Sequence, residues 1–61
     1  MKAITFYHES GSYQTTDYDA KTNQIVSKLN GCTCFDFDWY KSMRRQCGYT
    51  FYVLNDKKYT L

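Results

Sequence analysis

Apolar and polar positions alternate from Lys2 to Glu9, with Ile4 and Phe6 on one side and Thr5 and Tyr7 on the other. A period of two marks a half-buried strand. Ser10-Gly11-Ser12 breaks it. From Thr16 the spacing changes: Tyr18, Thr22, Ile25 and Leu29 recur at intervals of four, three and four, and Val26 widens the stripe. That spacing predicts an amphipathic helix over 17–29. Thr16 is placed to cap it, Asp17 and Asp19 set negative charge beside the positive end of its dipole, and Asn30-Gly31 offers a left-handed stop.

Alternation returns over 32–40. Thr33, Phe35, Phe37 and Trp39 share one side; Cys32, Cys34, Asp36 and Asp38 share the other. An aromatic face opposite a polar one predicts a strand. The rival reading is a helix from Trp39 to Cys47, capped by Asp38, with Lys41, Arg44 and Arg45 toward its C-terminus and Gly48 as its stop. The two readings can also hold in part, as a strand to about 37 and then a turn or two of helix; the strand is preferred because four successive positions keep the period of two. Tyr49 to Leu54 is β-prone throughout, Asn55-Asp56 is a turn signal, and Lys58 to Leu61 returns as a short strand. The predicted order is β-α-β-β-β. It describes one α+β domain over 1–61: two layers, a single helix packed on a mainly antiparallel sheet. One helix cannot cover both faces of four strands. The uncovered face is expected to present some of Tyr7, Tyr40, Tyr52 and Tyr59.

Composition sharpens this picture. Ile4, Ile25, Val26, Leu29, Val53, Leu54 and Leu61 are the whole Ile, Val and Leu inventory of the 61 residues. Such thin aliphatic content leans toward disorder. The aromatics oppose it, with seven Tyr, four Phe and Trp39, each large ring burying roughly 150–250 Å². The expected core is therefore aromatic and small. A domain of this size holds only a few kcal/mol without a disulfide, a metal or a partner chain. A homodimer is one expectation that follows. The formal charge is +2 and the pI near 8.5. No apolar run approaches the roughly 20 residues that a bilayer-spanning helix needs. The apolar start ends too soon at Glu9-Ser10-Gly11 for a secretory leader. The chain is thus expected to stay in the cytoplasm, with no membrane contact.

The candidate chemistry is sparse. Cys32, Cys34, Cys47 and His8 are the ligand types of a Cys₃His zinc site. One residue between the paired cysteines is poor spacing for such a site, so packing thiols are preferred and no metal or cofactor is expected. Asp36 and Asp38 would share a strand face, about 6–7 Å apart by the strand rise. A charged solvent face explains them as well as acid–base work does. No glycine-rich phosphate loop or nucleophile motif is present, and the chain is read as no enzyme.

Two features point to binding. Lys41, Arg44 and Arg45, with Lys57 and Lys58, lie near Trp39, Tyr40 and Tyr59. Cations beside stacking rings suit single-stranded nucleic acid or RNA, but a charge of +2 falls short of the usual basic footprint. The tyrosines say more. Tyr joins large contact area to few rotors and a polar tip, and interfaces enrich it together with Trp and Arg. Tyr13 lies in an expected loop where no core requires it. The reading is a small protein-binding module, of the kind a phage or mobile element makes to inhibit a host enzyme or defence complex. Its contact residues are expected to be Tyr13, Tyr40, Lys41, Arg44, Arg45, Lys57 and Lys58. The alternative is a small single-stranded nucleic-acid or RNA binder.

Overall fold

The computed structural model describes residues 1–28, 31 and 33–61. Among them run β1 (Lys2–His8), β2 (Tyr13–Asp19), β3 (Gln24–Ser27), β4 (Thr33–Asp36), α1 (Phe37–Gln46), β5 (Tyr49–Leu54) and β6 (Lys57–Thr60). The strands form one antiparallel sheet in the order β4-β3-β2-β1-β5-β6. β1 to β4 meander to one edge. α1 then carries the chain back across the sheet to β5, which pairs with β1 in the interior. A single helix on an antiparallel sheet agrees with the α+β expectation. The strand count and the order β-α-β-β-β do not.

The predicted helix over 17–29 is instead the end of β2, a turn and β3. Tyr18 and Ile25, seven positions apart, are cross-strand partners. They share a face because a hairpin folds them together, and two helical turns would do the same. The turn has its own chemistry. Asp19 Oδ1 accepts from the Lys21 N–H at 3.0 Å, Asn23 takes φ 56°, and the Tyr18 hydroxyl donates to Asn23 Oδ1 at 2.8 Å. The local composition agrees with strands: Thr15, Thr16, Thr22, Ile25 and Val26 are β-branched, and the rest includes turn-forming Asp and Asn. Leu29 and Asn30, invoked for the helix end, lie outside the described residues, as does Cys32 at the start of the expected strand 32–40.

That expected strand stops at Asp36, where α1 begins. Asp36 Oδ2 accepts the Trp39 backbone N–H at 3.0 Å, so the cap lies two residues before the Asp38 of the rival reading. Asp38 sits in the first turn and Arg44 and Arg45 in the last, each opposite in sign to the local dipole. Gly48, at φ 95°, follows the Cys47 C-cap and donates to the Arg45 carbonyl at 3.1 Å. Beyond it the reading holds: β5 is Tyr49–Leu54, and Asn55 and Asp56, at φ 54° and 62°, turn the chain into β6. Two successive left-handed residues make the turn whose twist suits a two-residue hairpin.

The core lies between α1 and one face of the sheet. Ile4, Phe6, Ile25, Phe37, Tyr40, Tyr52 and Leu54 form its buried cluster. Phe6 is fully buried and meets Tyr40 at 5.4 Å and Tyr52 at 5.5 Å between ring centroids. Phe37 from α1 meets Tyr18 at 4.7 Å and Tyr52 at 5.7 Å. Tilted and edge-on pairs of this kind add about 0.5–1.5 kcal/mol each beyond area burial. They do the work that the missing aliphatics would do. A bulge in β5 completes the arrangement. Tyr7 pairs with Phe51 but His8 with Tyr49, which leaves Thr50 as the extra residue. That one-residue slip turns Tyr49 onto the core side, where it packs against the cluster and the His8 ring.

Candidate functional site

Strand register assigns each side chain to a face. Ile4, Phe6, Gln14, Thr16, Tyr18, Ile25, Phe35, Tyr52 and Leu54 face α1; Thr5, Tyr7, Tyr13, Thr15, Phe51, Val53 and Lys58 face away from it. A row of rings crosses this second face. Tyr13 on β2 meets Tyr7 on β1 at 6.0 Å, and Tyr7 stacks on Phe51 of β5 at 4.8 Å and 12°. From β6 the Lys58 ammonium sits 4.3 Å from the centre of the Phe51 ring. Tyr7 and Phe51 are half-buried by their neighbours, whereas Tyr13 is 69% exposed. Beside the row, the Thr5 and Thr15 hydroxyls meet at 3.0 Å. Further along β2 the same face carries Asp17, and Asp19 beyond it.

The geometry decides how this surface makes contact. Strands β1 and β6 flank β5, so Tyr7 and Lys58 approach Phe51 from opposite sides and occupy both faces of its ring. Tyr7 is likewise held between Tyr13 and Phe51. Ring edges, hydroxyls and one ammonium are what remain outward, with the outer face of Tyr13 as the one free ring face in the row.

The seven residues expected to bind a partner do not form one patch. Tyr13 and Lys58 belong to the open face. Lys57 points to the opposite side of β6. Tyr40 is 6% exposed, and its ring belongs to the core. Arg44 is also committed inside: Nη1 donates to Gln14 Oε1 at 3.0 Å, its guanidinium lies over Tyr40 and Tyr49 at 4.9 and 5.4 Å, and its Nε is buried without a partner. The Tyr40 hydroxyl donates to the same Gln14 oxygen at 3.3 Å. Lys41 pairs with Asp38 at 3.3 Å and covers the Phe37 ring, while Arg45 is exposed. Of the four tyrosines expected on the uncovered face, Tyr7 is there; Tyr40 and Tyr52 are buried on the α1 side, and Tyr59 stacks on Tyr52. Phe51 escaped the sequence reading. Its signal was parity: it alternates with the core residues Tyr52 and Leu54 as Tyr7 does with Phe6.

The other candidate groups are apart. Asp36 caps α1 and Asp38 faces Lys41, so the two carboxylates share no strand face. Both His8 nitrogens are engaged. Nδ1 accepts the Ser10 backbone N–H at 3.0 Å, which makes Nε2 the protonated nitrogen, donating to the Cys47 carbonyl at 2.9 Å. Cys34 and Cys47 are exposed free thiols, and the described residues hold no cluster of His, Cys, Asp or Glu arranged for a metal. Among the described residues no helix is long and apolar enough to cross a membrane. Comparison with family models, curated proteins and solved structures finds no match to this chain.

Proposed function

We propose that the protein is a non-enzymatic protein-binding module that docks through the open face of its sheet, centred on Tyr13, Tyr7, Phe51 and Lys58. The observation that carries this reading is the closed stack of rings. Stacking platforms for single-stranded nucleic acid need free ring faces. Here Lys58 and Tyr7 already occupy those of Phe51. Asp17 and Asp19 on the same side repel phosphates. What the row offers is rigid edges, tyrosine hydroxyls and threonines, the chemistry of a protein contact. A module of this size acts by covering a surface, and inhibition of a host enzyme by occlusion fits that mode. The nucleic-acid alternative keeps Lys58 and the outer face of Tyr13.

The test is affinity capture from the native host, identification of the captured protein, and measured affinity for the purified pair. Tyr13→Ala is expected to weaken binding by tenfold or more, as truncation of a central aromatic anchor does. Arg45→Gln, on the other side of the sheet, is expected to leave it unchanged. Equal affinity for Tyr13→Ala and wild type refutes the assignment of the face. Oligonucleotide binding by the wild type, with a steep salt dependence, would establish the alternative. Light scattering separates a foreign partner from a second copy: a 7.3 kDa particle leaves the face free for another protein.

A further inference from the structure

On the opposite side of the molecule, α1 and the β5–β6 hairpin leave an open cleft of about 320 Å³, at the small end of the range for ligand sites. Asp38, Lys41, Ser42 and Arg45 form its helical wall. They are spaced i, i+3, i+4, i+7, so one stripe of α1 faces the gap. Tyr52 lies beneath, with Thr60 and Leu61 closing the hairpin side.

The charges in this cleft are unequally engaged. The Asp38 carboxylate is held by Lys41 at 3.3 Å, and an ammonium has further donors to give. Arg45 is exposed and carries no ion pair or hydrogen bond among the described residues. Tyr52 supplies a second, independent observation. Its ring is largely covered and stacks on Tyr59 at 5.1 Å, while its hydroxyl reaches solvent and has no hydrogen-bond partner among the described residues, where Arg44 Nε is the buried side-chain polar atom left unpartnered. A phenol in that state is a free donor. This one lines the cleft. Burial, first of all, keeps the phenol protonated to higher pH than usual; Lys41 opposes that shift, while Tyr59, Tyr18 and Asp38 add to it. It therefore stands as a neutral donor beside two cations.

We propose that this cleft binds a small oxyanion-bearing molecule, a carboxylate or a phosphate monoester. The Arg45 guanidinium takes two of its oxygens side by side, Lys41 adds charge, and the Tyr52 hydroxyl donates from below. Guanidinium geometry matches both kinds of oxyanion. The apolar body of such a ligand would rest on Leu61. The cleft and the open face lie on opposite sides of the sheet, so this inference stands or falls separately from the protein-binding reading.

The experiment is an amide chemical-shift titration of the full chain at constant ionic strength, with phenyl phosphate in one arm and benzoate in the other. Saturable shifts confined to Lys41, Ser42, Arg45, Tyr52 and Thr60 are expected in at least one arm, and the arm that saturates identifies the oxyanion. Arg45→Gln is expected to weaken binding about tenfold, the effect of losing a charge-assisted pair. Tyr52→Phe is expected to weaken it several-fold while leaving the melting temperature unchanged or raised, because the hydroxyl it removes has no partner among the described residues. Lys58→Gln is expected to change nothing. The proposal is overturned by shifts in both arms that rise linearly, or that spread equally to Lys57 and Lys58. It is equally overturned if Arg45→Gln binds as the wild type does, or if Tyr52→Phe lowers the melting temperature and leaves binding untouched.

Discussion

Gly48→Ala is the substitution that tests most of the chain's geometry at one position. Gly48 has φ 95°, and a Cβ built there meets His8 Nε2 at 2.7 Å. Two separable penalties follow. A non-glycine residue at such a φ is strained by about 1–2 kcal/mol. The His8 ring must also move, which breaks its 2.9 Å bond to the Cys47 carbonyl. An ordinary hydrogen bond contributes about 0.5–1.5 kcal/mol net, and the exposed position of Cys47 lets water replace part of it. The His8 edge contact with Tyr49, at 5.0 Å between centroids, is lost as well. The combined expectation is about 2–4 kcal/mol, a large share of what a domain this small holds. Gly11→Ala is the control: its φ is 96° but nothing lies within 4 Å of the added carbon, so strain alone remains. Urea unfolding followed by far-UV dichroism measures all three proteins. A double-mutant cycle with His8→Ala isolates the steric part, with an expected coupling of about 1–2 kcal/mol. If Gly48→Ala is no worse than Gly11→Ala, or if its effect simply adds to that of His8→Ala, the close approach of His8 is not what makes Gly48 necessary.

Phe6→Ala removes the ring that Tyr40 and Tyr52 both pack on; large-to-small changes of this kind lose about 3–5 kcal/mol, and loss of near-UV dichroism at room temperature is expected. Arg44→Ala takes the guanidinium from Gln14 and from two rings; a stability loss of about 1.5–3 kcal/mol is expected from a charged hydrogen bond, measured by the same urea unfolding, whereas Arg45→Ala should leave the midpoint in place. The raised folded-state pKa of Tyr52 means that burial disfavours the phenolate; its stabilising contribution is full below the ordinary value of 10.0 and is lost as pH rises through the higher folded-state value. Absorbance titration near 295 nm is expected to show one late-ionising tyrosine that Tyr52→Phe removes.

The sequence disclosed those parts of the fold whose signal is local. Alternation around Ile4 and Phe6 located β1, and Asn55-Asp56 located the last hairpin, because period and turn chemistry act within a few residues. The stretch after Thr16 failed for an instructive reason. Tyr18 and Ile25 meet across a hairpin, and a periodicity argument cannot tell a seven-residue repeat from a fold-back unless the turn between them is weighed. Asp19 and Asn23 were that turn, and the five β-branched residues around them outweighed the helical stripe. Phe37 misled in the opposite direction: it continues the strand alternation of Phe35, yet the backbone has already turned at the Asp36 cap. Of the candidate contact residues, exposure could be argued for Tyr13 from its polar setting. The fate of Tyr40 and Arg44 could not, because it depends on Gln14 and Tyr49, residues brought in by β2 and by the bulge in β5.

The position of β1 has a consequence for how the chain becomes a protein. Ile4 pairs with Leu54 and Phe6 with Tyr52, fifty and forty-six positions further on. Closing so long a loop is opposed by chain entropy and slows folding. Until it closes, the meander is a sheet with the wrong strand outermost. β1 is then an unpaired edge, and Ile4, Phe6 and Ile25 have no helix above them. Such an edge is the kind of surface that captures another chain. The segment from Phe37 to Leu54 supplies in one movement both the cover for that core and the partner for that edge. A nascent chain that has made only its first four strands is therefore at its most adhesive, and the speed with which α1 swings β5 into place decides between a folded chain and an aggregate.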